Sequence, residues 1–336
     1  MRTTQSFLRI VVMGLITAVF LLGFTPTKAM GKAEYRIIAA TNGAIGSEEH
    51  QAVKEFGKRL EELSKGRIKV DAFGIELGDA MSQIERLMDG AQQIYFGELT
   101  WLANVHKDLN ISAMAFTFKN VEHLIQFLQS DRGNKIWNEL LEKNGIRVLD
   151  FSGRRLPRVV MSKRLLKSID DFQGLKMRVP EIPIYLRVWK HIGTSTHRVT
   201  WGEIYLALAT GLVEAHEGPI DGIWAIRTHE KAPYMLRTDH IYSLYFVAVN
   251  DKFFRNLPKD LQEAVITAAK DSTRFINTLI HEEKILAKYK AEKTNVIYNE
   301  KLREQLLDKL STLGPQLEAE GFWSKGLYEY AIKLAK

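Results

Sequence analysis

The chain has 336 residues, 47 Lys and Arg against 40 Asp and Glu, and no cysteine. The missing thiol excludes disulfides, thiolate metal sites, cysteine nucleophiles and a lipidated N-terminal cysteine. Hydrophobic residues at 46% and charged residues at 26% exclude a disordered, collagenous or coiled-coil chain.

Arg2 and Arg9 precede a charge-free apolar run, Ile10 to Phe24, that is shorter than the roughly 20 residues of a membrane span. Pro26 and small residues up to Ala29 or Ala33 follow, so residues 1–33 read as an export signal cleaved near one of those alanines. Removing Arg2, Arg9 and Lys28 takes the net charge from +7 to +4, or to +3 where Lys32 is also removed. Export sets nucleic acid aside as a partner and leaves a mild positive balance compatible with an anionic ligand.

From Glu34 onward, short apolar runs alternate with helical patterns. Tyr35–Ala40 reads as a strand. Ser47 caps a helix whose Val53, Phe56, Leu60 and Leu63 share a face, and Gly66 follows it. Arg67–Phe73 is the next strand, Asp79 opens a helix closed by Gly90, and Gln93–Phe96 is strand again. Asn120 begins a third helix, a fourth ends before Gly145, and Ile146–Phe151 returns to strand. The grammar resumes with strands at Val159–Ser162 and Leu175–Val179, and a helix that tolerates Pro183 in its first turn. Thr200 and Glu203 have capping-box spacing before a helix stopped by Gly211. Leu212–His216 is a short strand, Ile241–Val249 a long one crossing between lobes, and helical pattern fills Lys259–Lys293, Glu300–Leu313 and Trp323–Leu334. Strands alternating with helices predict an α/β protein, and crossing strands without a linker predict two hinged lobes. The expected division is 34–155 plus about 244–285 for one lobe and 156–243 plus about 286–336 for the other.

Catalytic signatures are missing: no phosphate loop, no dinucleotide turn and no nucleophile elbow. His281-Glu282 lacks the second histidine of a zinc protease, so neither metal nor cofactor is expected. The adjacent acids Glu48–Glu49, Glu61–Glu62 and Asp170–Asp171 read as solvated. Arg178 stands apart. It ends the strand Gly174-Leu-Lys-Met-Arg-Val-Pro180, and ligands of open α/β sheets sit outside the carboxyl ends of strands. Its planar fork matches a carboxylate in bidentate fashion.

Two segments, GLKMRVPEIP (Gly174–Pro183) and TWGEIYLALATGLVEAHEGP (Thr200–Pro219), make the chain resemble the periplasmic solute receptors of TRAP transporters, the DctP-like family that captures organic acids. Leu77-Gly78-Asp79, Val249-Asn250 and Leu257-Pro258 echo it more weakly. The resemblance implies a two-lobed periplasmic binding protein with a hinged cleft, no enzymatic activity, and delivery of its ligand to TRAP membrane permease subunits. It matches Arg178 to the arginine that clasps the ligand carboxylate. Arg158, four residues before Ser162-Lys163-Arg164, stands where a second ligand-directed arginine is expected, with Arg154 or Arg155 as alternatives. Glu203 matches a family glutamate, although its capping position accounts for it.

One departure concerns the family's Gln-Glu-Asn-Pro, which reads His216-Glu217-Gly218-Pro219 here. Glycine in place of the ligand-facing asparagine implies extra room or a close backbone approach, with His216 as the replacement polar contact. Glu98 is a candidate acceptor for ligand hydroxyls, and Trp201, Trp101, Trp224, Tyr205 and Phe96 are candidate walls. The alternatives are a co-receptor for a membrane sensor and a secreted α/β hydrolase. A monomer is expected, with the long C-terminal helices as the route to a dimer.

Overall fold

A computed structural model describes residues 33–334. The expected export signal therefore lies outside the described residues, apart from Ala33. The chain forms two sheets, each covered by helices, and the fold is α/β and two-lobed.

The first sheet has the order β2-β1-β3-β10-β4. Its strands are β1 (Tyr35–Ala40), β2 (Ile68–Phe73), β3 (Ile94–Glu98), β4 (Ile146–Arg154) and β10 (Leu244–Asn250). β1 runs parallel to β2 and β3, and β10 lies antiparallel between β3 and β4. The second sheet has the order β11-β9-β5-β8-β6-β7. It comprises β5 (Arg158–Ser162), β6 (Lys176–Val179), β7 (Ser195–Arg198), β8 (Ala215–Pro219), β9 (Tyr234–Ile241) and β11 (Asn295–Ile297).

Local chemistry sets the helices. Ser47 accepts the His50 N–H and starts α1 (Glu48–Leu63). Asp79 accepts the Ser82 N–H and starts α2 (Ala80–Asp89), which left-handed Gly90 ends. Asn120 and Ser130 cap α3 (Val121–Gln129) and α4 (Asp131–Asn144). Pro183 occupies the first turn of α5 (Pro183–Ile192).

The sequence expectation differs from the structure at several places: β7 and β11 were not expected, and the strand expected at Leu212–His216 is β8 at Ala215–Pro219. Thr200 and Glu203 do not form a capping box. Residues Trp201–Glu203 make a 3-10 turn, α6 (Ile204–Thr210) starts after it, and the Thr200 hydroxyl donates to the Glu203 side chain at 2.8 Å. The strand expected at 241–249 is β10, at Leu244–Asn250, and its first residue, Ile241, instead ends β9 in the other sheet. β9 escaped notice because Arg237, Asp239 and His240 interrupt its apolar pattern. Arg237 pairs with Asp239 and Glu282, and His240 Nδ1 meets Thr238 at 2.8 Å while its Nε2 lies 3.5 Å from Glu217, so these polar groups face partners inside the fold. The continuous helical pattern after Lys259 breaks into α9 (Lys259–Leu279) and α10 (Glu282–Ala291), with Ile280 and His281 extended between them.

The chain crosses between sheets at Arg155–Pro157 and again at Tyr242–Ser243. Both crossings lie at the edge where β3, β4 and β6 end. The register shows this, since Tyr245 lies opposite Glu98, Leu244 opposite Arg154, and Arg158 opposite both Pro219 and Ile241. The final elements, α11 (Glu300–Leu310), α12 (Leu313–Ala319) and α13 (Leu327–Lys333), strap across both sheets' helices. α11 packs on α5, whereas α13 reaches the turn at Lys107–Ala113 and the Ala331 carbonyl lies 2.7 Å from the His123 ring.

Candidate functional site

At the shared edge of the two sheets, five carboxylates or arginines are almost fully buried: Glu98, Arg155, Arg158, Arg178 and Glu217, at 0–7% exposure. Burying a charge is costly without a partner, so the pairing decides what each group is for.

Arg158 is completely engaged. Its Nε and Nη2 form a fork onto Glu217 at 2.6 and 2.7 Å, and Nη1 reaches both oxygens of Glu98 at 2.8 and 3.0 Å. The Tyr185 ring closes over the guanidinium at 5.0 Å. Arg158 thereby holds the Glu217 carboxyl well below the usual carboxylate range against the opposing effect of burial, and Glu98 is lowered in the same way by Arg158 and Arg155. Arg155, in the first crossing segment, donates to Glu98 at 2.8 Å and meets Glu49 at 2.9 Å and Asp221 at 3.4 Å. Tyr245 lies under its guanidinium at 4.6 Å and donates its hydroxyl to Asp221.

Arg178 differs from these two. Its Nε donates to the Val199 carbonyl at 2.8 Å, which fixes the plane of the fork, and the Trp201 ring lies 5.6 Å away. Neither terminal nitrogen, Nη1 nor Nη2, has a hydrogen-bond partner among the described residues. Burial lowers its pKa to about 10; Glu217 opposes that shift and the neighbouring Arg158 reinforces it. The group is still a cation at neutral pH.

Arg178 lines a narrow recess together with Asn42, Trp101, Pro180 and Trp201. Asn42, Trp101 and Trp201 also line a larger chamber of about 350 Å³, which continues outward to Asp79, Glu181, Thr200 and Glu203. Such a volume is within the range of small-molecule sites. Its walls come from both sheets: Asn42 follows β1, Asp79 caps α2, and residues 181 and 200–203 follow β6 and β7.

The expected site residues fall into separate groups. Arg178 and Trp201 line the recess, and Arg158 and Glu98 border it while bound to each other. His216, Glu217 and Gly218 do not line the cleft. Glu217 is the buried counter-ion of Arg158. His216, level with Arg178 in the adjacent strand, is fully buried with neither ring nitrogen partnered. Burial, followed by the charge of Arg178, lowers its pKa to about 3. Gly218 opens no extra ligand room. A Cβ there would stand 3.1 Å from both Trp201 Cη2 and Ile223 Cγ1, so Trp201 already occupies the space. Gly222 serves the same ring, since its Cβ would lie 3.1 Å from Trp201 Cζ2.

Among the other aromatic candidates, Phe96 is packed in the first sheet's core, Trp224 stacks on His229 and Tyr205 donates to Glu230. Glu49 corrects the expectation of a solvated acid. It is 6% exposed, accepts the Thr41 hydroxyl at 2.9 Å and pairs with Arg155. Its spacing in line with Val53, Phe56 and Leu60 on the apolar face of α1 was the available signal. Asn42 and Glu181 carried no comparable signal, because only the tertiary fold brings them together.

The family model for bacterial extracellular solute-binding proteins, family 7 (DctP), matches residues 39–316. The chain belongs to that family. It is 30% identical over 262 residues to the sialic acid-binding periplasmic protein SiaP of Vibrio cholerae, covering 76% of this chain and 80% of the relative. The sugar acid binding protein of Advenella mimigardefordensis, solved with galactonate, superposes with a TM-score of 0.83 at 24% identity, covering 89% of this chain and 97% of that one. A TRAP periplasmic solute binding protein of Haemophilus influenzae, solved with L-gulonate, gives 0.81 at 22% identity, covering 89% and 99%. These last two likenesses establish the fold. Among the described residues no helix is long and apolar enough to cross a membrane.

Proposed function

We propose that this DctP-family protein is the exported, non-enzymatic receptor of a TRAP transporter, which captures an organic acid between its lobes and passes it to membrane permease subunits. The observation that carries this reading is the unpaired fork of Arg178. Buried Arg155, Arg158 and Arg237 all have carboxylate partners, whereas Arg178 has only a carbonyl on its Nε. A ligand carboxylate supplies the two acceptors that its terminal nitrogens lack. The Arg155–Arg158–Glu98–Glu217 network braces the recess at the crossing segments and leaves Arg178 for the ligand.

The lobes divide at the two crossings and at the break between α9 and α10. Helix α13 touches both α12 and the turn at Lys107–Ala113, so it straps the two lobes together. Closure about these three segments buries the ligand and strengthens its pairing with Arg178 as water leaves. The relatives named for sialic acid, galactonate and L-gulonate support an acid ligand, and the family's extracellular location supports export. A thermal-shift screen of the mature protein tests the reading: carboxylic acids raise Tm and their neutral alditol counterparts do not. Equal shifts with galactonate and galactitol would remove Arg178 from the mechanism.

A further inference from the structure

Arg178 accounts for one end of the ligand, and the outer chamber determines the other. Its polar lining consists of the carboxylates Asp79, Glu181 and Glu203 with the Thr200 hydroxyl and the Asn42 amide, and no lysine, arginine or histidine lines it. Two of the acids are oriented from within, since Asp79 accepts the Ser82 N–H at 2.8 Å and Glu203 accepts the Thr200 hydroxyl at 2.8 Å. Each retains a carboxylate oxygen for a further donor. Trp101 and Trp201 form the apolar walls between the recess and this chamber. A molecule anchored by its carboxylate at Arg178 therefore meets indole faces along its length and acceptors at its far end.

We infer, on the basis of the carboxylate-receptor reading, that the cleft selects polyhydroxy monocarboxylates of the aldonate or uronate type and rejects their dicarboxylate counterparts. Hydroxyls donate to Glu181 and Glu203, and the C–H faces of a sugar chain pack on Trp101 and Trp201. A second carboxylate in the same place finds three like charges and no cation. Glu181 and Glu203 are solvent-exposed, so water and salt screen each like-charge contact, and the three together lower affinity by roughly tenfold. Selectivity thus resides in the outer acids, whereas affinity for the acid group resides in Arg178.

Two pairs of probes separate these roles, because each pair differs only at the terminal carbon: D-galactonate with galactarate, and D-gluconate with D-glucarate. Calorimetry at pH 7.5 and low salt is expected to give at least one aldonate binding roughly tenfold tighter than its aldarate. In the double variant Glu181→Gln/Glu203→Gln the gap narrows roughly threefold or more, mainly through tighter aldarate binding. An aldarate or succinate that matches or exceeds the aldonates overturns this inference and leaves the carboxylate-receptor reading standing. An unchanged gap in the double variant overturns the assignment to Glu181 and Glu203. Failure of every acid, including succinate and glucuronate, overturns the inference together with the reading beneath it.

Discussion

Acid should destabilise this protein through His216 in particular, and the size of the effect can be worked out. The ring is fully buried beside Arg178 with Glu217 next to it in the strand, and its folded pKa is lowered to about 3 from an unfolded value near 6.5. At pH 7 both states are neutral, so the group contributes no pH-dependent stability. As pH falls below 6.5 the unfolded chain takes up a proton that the folded chain refuses, and stability is lost until pH passes the folded value. At pH 4 the loss attributable to His216 is about 3 kcal/mol, a large part of a typical stability of about 5–15 kcal/mol.

His216→Met removes the titration and the two unpartnered ring nitrogens while keeping an adaptable apolar side chain. Urea unfolding of both proteins at pH 7 and pH 4 gives a double difference. Glu217, lowered in the folded state, adds its own acid loss to both proteins and cancels. The variant should lose about 3 kcal/mol less than the parent between the two pH values. Equal losses would refute the reasoning.

Three further outcomes follow from the same geometry. Gly218→Asn forces Trp201 and Ile223 apart, so it should cost about 1–3 kcal/mol by denaturant unfolding and weaken ligand binding by displacing the wall; a neutral, fully binding variant would contradict the packing argument. Arg158→Met leaves Glu98 and Glu217 short of their main partner and should cost about 3–5 kcal/mol, while adding Glu217→Gln recovers part of it; a silent single variant would show that the pair is dispensable. Because the Arg178 guanidinium stays a cation across the working range, acid-ligand affinity measured by fluorescence titration should be flat from pH 7 to 9; a fall beginning near pH 7 would point to a different group.

Most of the fold was legible because local chemistry and tertiary structure agree. Ser47, Asp79, Asn120 and Gly90 cap where their types predict, and the apolar runs at 35–40 and 146–151 are strands. β9 was not legible, since its polar residues are satisfied by each other and by neighbours rather than by water. Arg178 was legible from its place at a strand's end. Its distinction from Arg158 was not, because sequence carries the charge of an arginine but not the identity of its partner. The same holds for Gly218, which reads as open space until the Trp201 ring is seen lying over it. Glu49 could have been read from its place on the apolar face of α1, although its neighbour Glu48 disguised it as a surface pair.

The most direct test of the central claim is calorimetric titration of Arg178→Met with the acid that gives the largest thermal shift on the parent protein. The fork is buried and unpaired in the free protein, so its loss should leave folding intact and weaken binding by about 2–5 kcal/mol, with Tm of the free variant unchanged or raised. Binding of that acid at parental affinity to the folded variant would contradict the account.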